Sequence, residues 1–531
     1  MDPTLNYIPP SALAPNLTSS SSSKVHHILS GSFRSLSLFL LAFTPPPSSS
    51  SPSNSIHQVN GTLKLIQTVH GHGPHQYLAT NPARDRVYMT SWALPPRLAS
   101  WTVQKGLNSE WRVDLLDQVD ITATSSYITL PPPYTHLYSV GGPTGEVHCV
   151  SRAQGFVDGG PGFLDVAGGS PIGSGPDTTL TGGFGKKIQE ILFVPEDELE
   201  RADKMHVALR YSSHGIELSA IEYAFVPVLG TKLIKMYVWE ADGVLMWMSS
   251  NHSPREGVKD GPRHVKVHPN GRVLYCVMEH SNYVNTYWIT PPTLTYIALR
   301  SLIPPYLYAS SSSTSPPPSP PSKPTHAPIP PASFPSPSPD KPSRDELTHS
   351  YRGDTLLLIP SSSSPAPSTL FVTTRGAKED VRGWIGVFPL DGEGMFADAD
   401  VDEEGEEEEG KKRRKPVYWQ TPTSGGKANA IDLLPKSPSS LSSSSSASGS
   451  DSEKGVYILL TDDSDAAAVG GGGGGVRVLE WDGWGSASLH DGGEQLEIRV
   501  VAEWPLPGDR TGQQEGEEEK MMGGSHAIWL D

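Results

Sequence analysis

At 531 residues the chain is long enough for several domains, yet 52 Gly, 51 Pro and recurrent Ser runs leave too little apolar sequence to fill them. The net charge of -17 gathers in the acidic stretch 391–410, followed by the basic run Lys411 to Lys415, and in Glu515 to Glu519; with no basic face, nucleic acid is excluded as a partner. Two cysteines, Cys149 and Cys276, exclude a disulfide framework and a C-x-x-C zinc site, and predict a reducing, cytoplasmic setting.

A Ser-rich stretch, 1–23, reads as a disordered tail. The strands begin with HHILSGSF at His26 and the apolar run LSLFLLAF, Leu36 to Phe43. That run is too short to span a bilayer and lacks a basic flank for export, so it predicts a buried strand and no membrane role. From there a two-strand unit recurs: turn, apolar strand, short polar loop, returning strand. Copies run over Asn81–Val103, Tyr134–Val150, His214–Trp239 (blurred), His268–Trp288, Leu370–Phe388 and Val456–Trp481. The clearest is HPNGRVLYCVMEHSNYVNTYW, with a Pro-Asn-Gly turn before Val273–Met278 and a Ser-Asn turn before Val284–Trp288.

About seven such copies predict an all-β closed repeat, a β-propeller of radially arranged sheets; a pair of β-sandwiches is the alternative. Low-complexity segments at about 310–343, 391–415, 437–452 and 508–522 fall between strands or units. They read as loop insertions in one domain spanning 24–531, which loop-closure entropy tolerates.

Candidate chemistry centres on DGPRHVKVHPNGRVLYCVME, Asp260 to Glu279. Arg263 precedes one strand and Glu279 ends the next, where the loops of a propeller converge on its channel. Arg offers a fixed planar cation for carboxylates. Glu279 either pairs with Arg263 or serves as acid or base. His214, before Gly215, is either a structural histidine or an acid–base group near neutral pH. Arg375, in TTRG, repeats a cation at a strand end. Together they suggest a site for an anionic small molecule. His26-His27 and His70, His72 and His75 do not make a convincing metal set, and no phosphate loop or nucleophile elbow appears, so neither metal nor cofactor is expected.

The segment GPRHVKVHPNGRVLYCVME resembles a signature of the seven-bladed lactonase propellers, which include 6-phosphogluconolactonases and fungal carboxy-cis,cis-muconate cyclases. HHILSGSF, TPTSGGKANA (421–430), LTDD (460–463), VRVLEW (476–481) and the terminal HAIWLD are similar to the cyclases in particular. The resemblance implies seven blades, with the HHILSGSF strand pairing near HAIWLD to close the ring. It also implies a site of His214, Glu279, Arg263 and Arg375, with Arg263, Arg375 and Lys427 binding substrate. Gly261 stands where the cyclases tend to have His, and Lys427 where His is expected; the unit after His214, AFVPVLGTKLIKMYVW, lacks the usual turn.

The activity so implied is closure of 3-carboxy-cis,cis-muconate, a small tricarboxylate, to a carboxymuconolactone. Hydrolysis of a sugar lactone and a non-catalytic scaffold are the alternatives. Self-association into a homo-oligomer is left open.

Overall fold

The computed structural model describes residues 24–46, 61–106, 110–152, 180–199, 213–255, 259–308, 342–359, 367–398, 414–436, 455–463, 474–484, 498–506 and 523–531. These form 28 strands in seven antiparallel four-stranded sheets. In the second to seventh blades the four strands follow one another in sequence. The chain is an all-β, seven-bladed propeller.

The first blade is composite. His26–Ser30, Ser37–Thr44 and Thr62–His70 come from one end of the sequence, and Ala527–Trp529 pairs antiparallel with His26–Ser30 as the innermost strand. The register joins Ile28 to Trp529 and Leu29 to Ile528. The expected closure is present, and it lies within a blade.

Side-chain alternation explains the unbroken apolar runs. Ile28 packs into a layer shared with the seventh blade, and Leu29 into a layer shared with the second. Every junction between adjacent blades carries such a layer, for instance Phe371 against Trp481 and Tyr275 against Leu356. Strands buried on both faces need apolar residues at every position, so LSLFLLAF is a middle strand of a blade.

The two-strand copies are the second and third strands of each blade. Val273–Met278 and Tyr283–Thr290 are one such pair, fully and largely buried respectively. The blurred copy after His214 is a regular hairpin, Tyr223–Val228 with Leu233–Trp239.

The tail 1–23 and the segments 437–452 and 508–522 lie outside the described residues. The insertions at 310–343 and 391–415 are described only at their edges, and those edges belong to the fold. Ser343 forms a capping box with Glu346 on the short helix Arg344–Thr348. Leu390 bridges Phe396, the Tyr275 hydroxyl donates to the Gly394 carbonyl, and Arg300 pairs with Asp398 at 2.7 Å. Residues 391–398 are thus a packed turn.

Candidate active site at the channel mouth

Each innermost strand lines the channel, and its start lies at one face of the ring. Arg263 sits at the start of Pro262–Val267, the innermost strand of the fifth blade. The pairing skips there: Pro262 faces Met278, and His264 faces Val277. Arg263 is the extra residue of a bulge, which turns its side chain out of the ladder. Its guanidinium meets Glu279 Oε2 at 2.5 Å and Asp354 Oδ1 at 2.8 Å. Arg375, ending Thr369–Gly376, reaches the other oxygen of Glu279 at 3.1 Å and donates to the Gly426 carbonyl at 3.3 Å. One carboxylate therefore holds two guanidiniums.

The frame around them is tied by backbone. Glu279 N–H donates to the Gly261 carbonyl, and Gly353 N–H donates to that of Glu279. The TPTSGGKANA loop braces Arg375 from the far side. Its Asn429 donates through N–H to Asp354 Oδ2 at 2.6 Å and through Nδ2 to the Thr374 carbonyl at 2.8 Å.

His214 lies just before the innermost strand of the fourth blade, Glu217–Leu218. Ser213 fixes it by donating to the carbonyls of Gly215 and Pro227. His214 is buried, and burial together with Arg263 and Arg375 pushes its pKa down to about 3 against the opposing pull of Glu279. Burial alone would raise the Glu279 carboxyl, but Arg263 and Arg375 hold it well below the usual carboxylate range. At neutral pH the His214 imidazole is thus neutral and the Glu279 carboxylate ionised between the two guanidiniums, with Asp354 a second carboxylate on Arg263. The Nε–H groups of Arg263 and Arg375 are buried with no acceptor among the described residues, so both guanidiniums retain a donor.

Four of the five expected residues come together. Lys427 does not join them: it is exposed, 5.8 Å over the Phe33 ring and beside Asp463. Asp354 is a site residue that the motifs did not reveal. A signal existed in Gly353, inside a strand, where an added Cβ would come within 2.4 Å of the Met278 carbonyl oxygen. The ladder skips there too, between Gly353 and Leu356, which turns Asp354 toward Arg263.

A cavity of about 430 Å³ opens onto Glu279 and Arg375 of this set. Leu229, Lys232, Lys259, Glu279, His280, Arg352 and Arg375 line it. Below it the channel is crossed by rings. His526 stacks on Tyr77 at 3.8 Å, Tyr77 meets Tyr127 at 4.3 Å, and Tyr127 meets His264 edge-on at 5.4 Å. Lys266 pairs with Glu217 at 2.7 Å. No group of three or more His, Cys, Asp or Glu residues is placed to hold a metal among the described residues, and no helix there is long and apolar enough to cross a membrane.

Residues 195–313 match a family model described as lactonase, 7-bladed β-propeller. Muconate cycloisomerase 1 of Cutaneotrichosporon cutaneum is 25% identical over 417 residues, which cover 77% of this chain and 84% of that protein. Among solved structures, a protein from Lactobacillus plantarum aligns with a TM-score of 0.52 at 13% identity, over 96% of this chain and 100% of that one. The periplasmic gluconolactonase of Pseudomonas aeruginosa gives 0.51 at 13% identity, over 96% and 99%. The chain is a seven-bladed β-propeller whose residues 195–313 match the lactonase family of that fold.

Proposed function

We propose that the chain is an enzyme that closes a muconate-type polycarboxylate, 3-carboxy-cis,cis-muconate, to a lactone. The observation that carries this reading is the pair of guanidiniums, Arg263 and Arg375, held on opposite oxygens of Glu279, with Glu279 and Arg375 lining a cavity that also carries Lys232, Lys259 and Arg352. The name of the curated relative, muconate cycloisomerase, agrees with it.

In this reading one substrate carboxylate adds to a conjugated C=C. The π electrons move onto a neighbouring carboxylate as an enediolate, and a proton is then added to the carbon between. Arg263 and Arg375 hold the substrate carboxylates and stabilise the charge as it develops, a role for preorganised cations. Glu279 is ionised and shared between two cations, so it positions them and does not supply the proton. His214 is neutral in the empty site. A polyanion beside it raises its proton affinity, so the imidazolium forms with substrate bound and delivers the proton to carbon.

The rival reading is hydrolysis of a sugar lactone, favoured by the family description. The two differ in proton balance. Cyclisation of the trianion consumes one proton per turnover; hydrolysis of a lactone to its carboxylate releases one. In weakly buffered solution at pH 7.5, addition of 3-carboxymuconate should raise the pH in step with the loss of conjugated ultraviolet absorbance. No absorbance loss with 3-carboxymuconate, together with acid release from 6-phosphogluconolactone, would overturn the cyclase reading in favour of the lactonase.

A further inference from the structure

We infer that Lys232, Lys259 and Arg352 form a second anion subsite in the mouth, which takes a carboxylate or phosphate of the substrate remote from the group on Arg263 and Arg375. This rests on the reading of the mouth as an anion site and adds which substrates it selects.

The three cations come from three blades and meet on one cavity. Lys232 is at the turn joining the fourth blade's middle strands, Lys259 leads into the fifth blade, and Arg352 is the second residue of Tyr351–Leu358 in the sixth. Among the described residues Glu279 is the one carboxylate lining the cavity, and its two oxygens already face Arg263 and Arg375. Among the described residues Lys232 and Lys259 have no carboxylate within ion-pair distance, and Arg352 donates to the carbonyls of His349 and Tyr351. Like charges gathered in one concave wall repel one another, and an anionic ligand removes that cost.

Two backbone positions shape this wall. Lys232, in the turn of the Tyr223–Val228 and Leu233–Trp239 hairpin, has a φ of 59°, in the left-handed region. A long side chain there is uncommon and carries a local cost. Gly261, where the cyclases tend to have His, has a φ of 68°. A Cβ at 261 would come within 2.6 Å of the His280 ring and 2.8 Å of Leu229, both lining residues. Glycine at this position therefore keeps the wall open, and the turn brings in a cation.

Titration calorimetry at low ionic strength tests this with two probe pairs, tricarballylate against glutarate and 6-phosphogluconate against gluconate. The wild type should bind the more highly charged member of at least one pair about tenfold more tightly, as charge-assisted hydrogen bonds predict. The pair with the larger ratio assigns the subsite to carboxylate or to phosphate. The double variant Lys232→Asn, Arg352→Gln should bring that ratio to within about twofold, since Asn tolerates the left-handed backbone and both positions lie at the cavity surface. A ratio kept by a double variant that melts as the wild type does overturns the subsite, as does a wild type with no preference in either pair. Arg263→Gln separates the underlying reading. If it leaves every affinity unchanged, the primary anion site is wrong; if it weakens all of them while the double variant has no effect, only the second subsite is wrong.

Discussion

Glu279 is buried between two guanidiniums, and the consequence of losing its charge follows from that position. Glu279→Gln would leave Arg263 and Arg375 without their shared counter-ion, although Arg263 keeps Asp354. Breaking a buried pair by removing one partner costs about 3–5 kcal/mol. Chemical denaturation should show a loss of that order, with activity lost as well. His214→Ala should instead fold normally and reduce turnover about a hundredfold or more, as expected for loss of one general acid. Steady-state rates beside a melting curve distinguish the two cases. Arg263, Glu279, Arg375 and His214 were legible in the sequence because each ends or precedes a strand in a recognisable motif. Asp354 was not, because a bulge sets its direction and the short GDT stretch has no pattern of its own. Lys427, which the resemblance implied as a substrate-binding residue, is exposed over the Phe33 ring, although the carbonyl of the preceding Gly426 touches Arg375.

Strands and loops give a different measure of legibility. The middle strands of each blade are sandwiched between neighbours on both faces, so their apolar runs stand out. Outer strands are half exposed; Trp111–Asp120 mixes apolar with charged residues along an edge, and Leu245–His252 mixes apolar with uncharged polar ones. Innermost strands are short and point polar groups into the channel, as in Glu217–Leu218 and PRHVKV. Neither kind gives a strong periodic signal, which is why four-stranded blades read as two-strand units. The loop 421–430 was recognised by likeness, and the contacts of Asn429 give its physical role. Asn429→Ala removes the bond to the Thr374 carbonyl and should cost about 1–3 kcal/mol through that unpaired buried group. Because Thr374 precedes Arg375, activity should fall further than stability alone explains. Rates measured well below the variant's melting range test this.

For the whole ring, buried histidines set the response to acid. Burial pushes His75, His214 and His526 down to about 3, with His72 adding to the shift at His75 and Arg263 and Arg375 at His214. His264 is also pushed well below its ordinary value, by burial and then by Arg263. Between their folded values and about 6.5 the unfolded chain binds protons that the folded chain does not, so stability is present above pH 6.5 and is lost as pH falls. Asp463 acts in the opposite sense. Burial raises it to about 6, partly offset by Arg34, so the folded chain binds its proton more readily. Burial also lowers His136, His148 and His280 and raises Asp432, so among the described residues seven histidines against two carboxyls leave a net loss. The melting temperature should drop steadily from pH 7 to pH 5, and a flat or rising profile in a pH-resolved calorimetric series would contradict this. Ring closure adds a second expectation: replacing Ile528 by Asp should destabilise the layer it shares with Leu29 and Leu78 and disrupt the register with His26–Ser30.

The stacked rings of His526, Tyr77, Tyr127 and His264 cross the channel below the site from the first three blades to the fifth. Rings from four blades thus meet across the channel. Under the proposed cyclisation the departing product would still carry carboxylates, and the cations lining the mouth, Lys232, Lys259, Arg352 and Arg375, would attract them. Release therefore competes with the same attraction that favours capture, so salt should quicken the exit as it slows the approach.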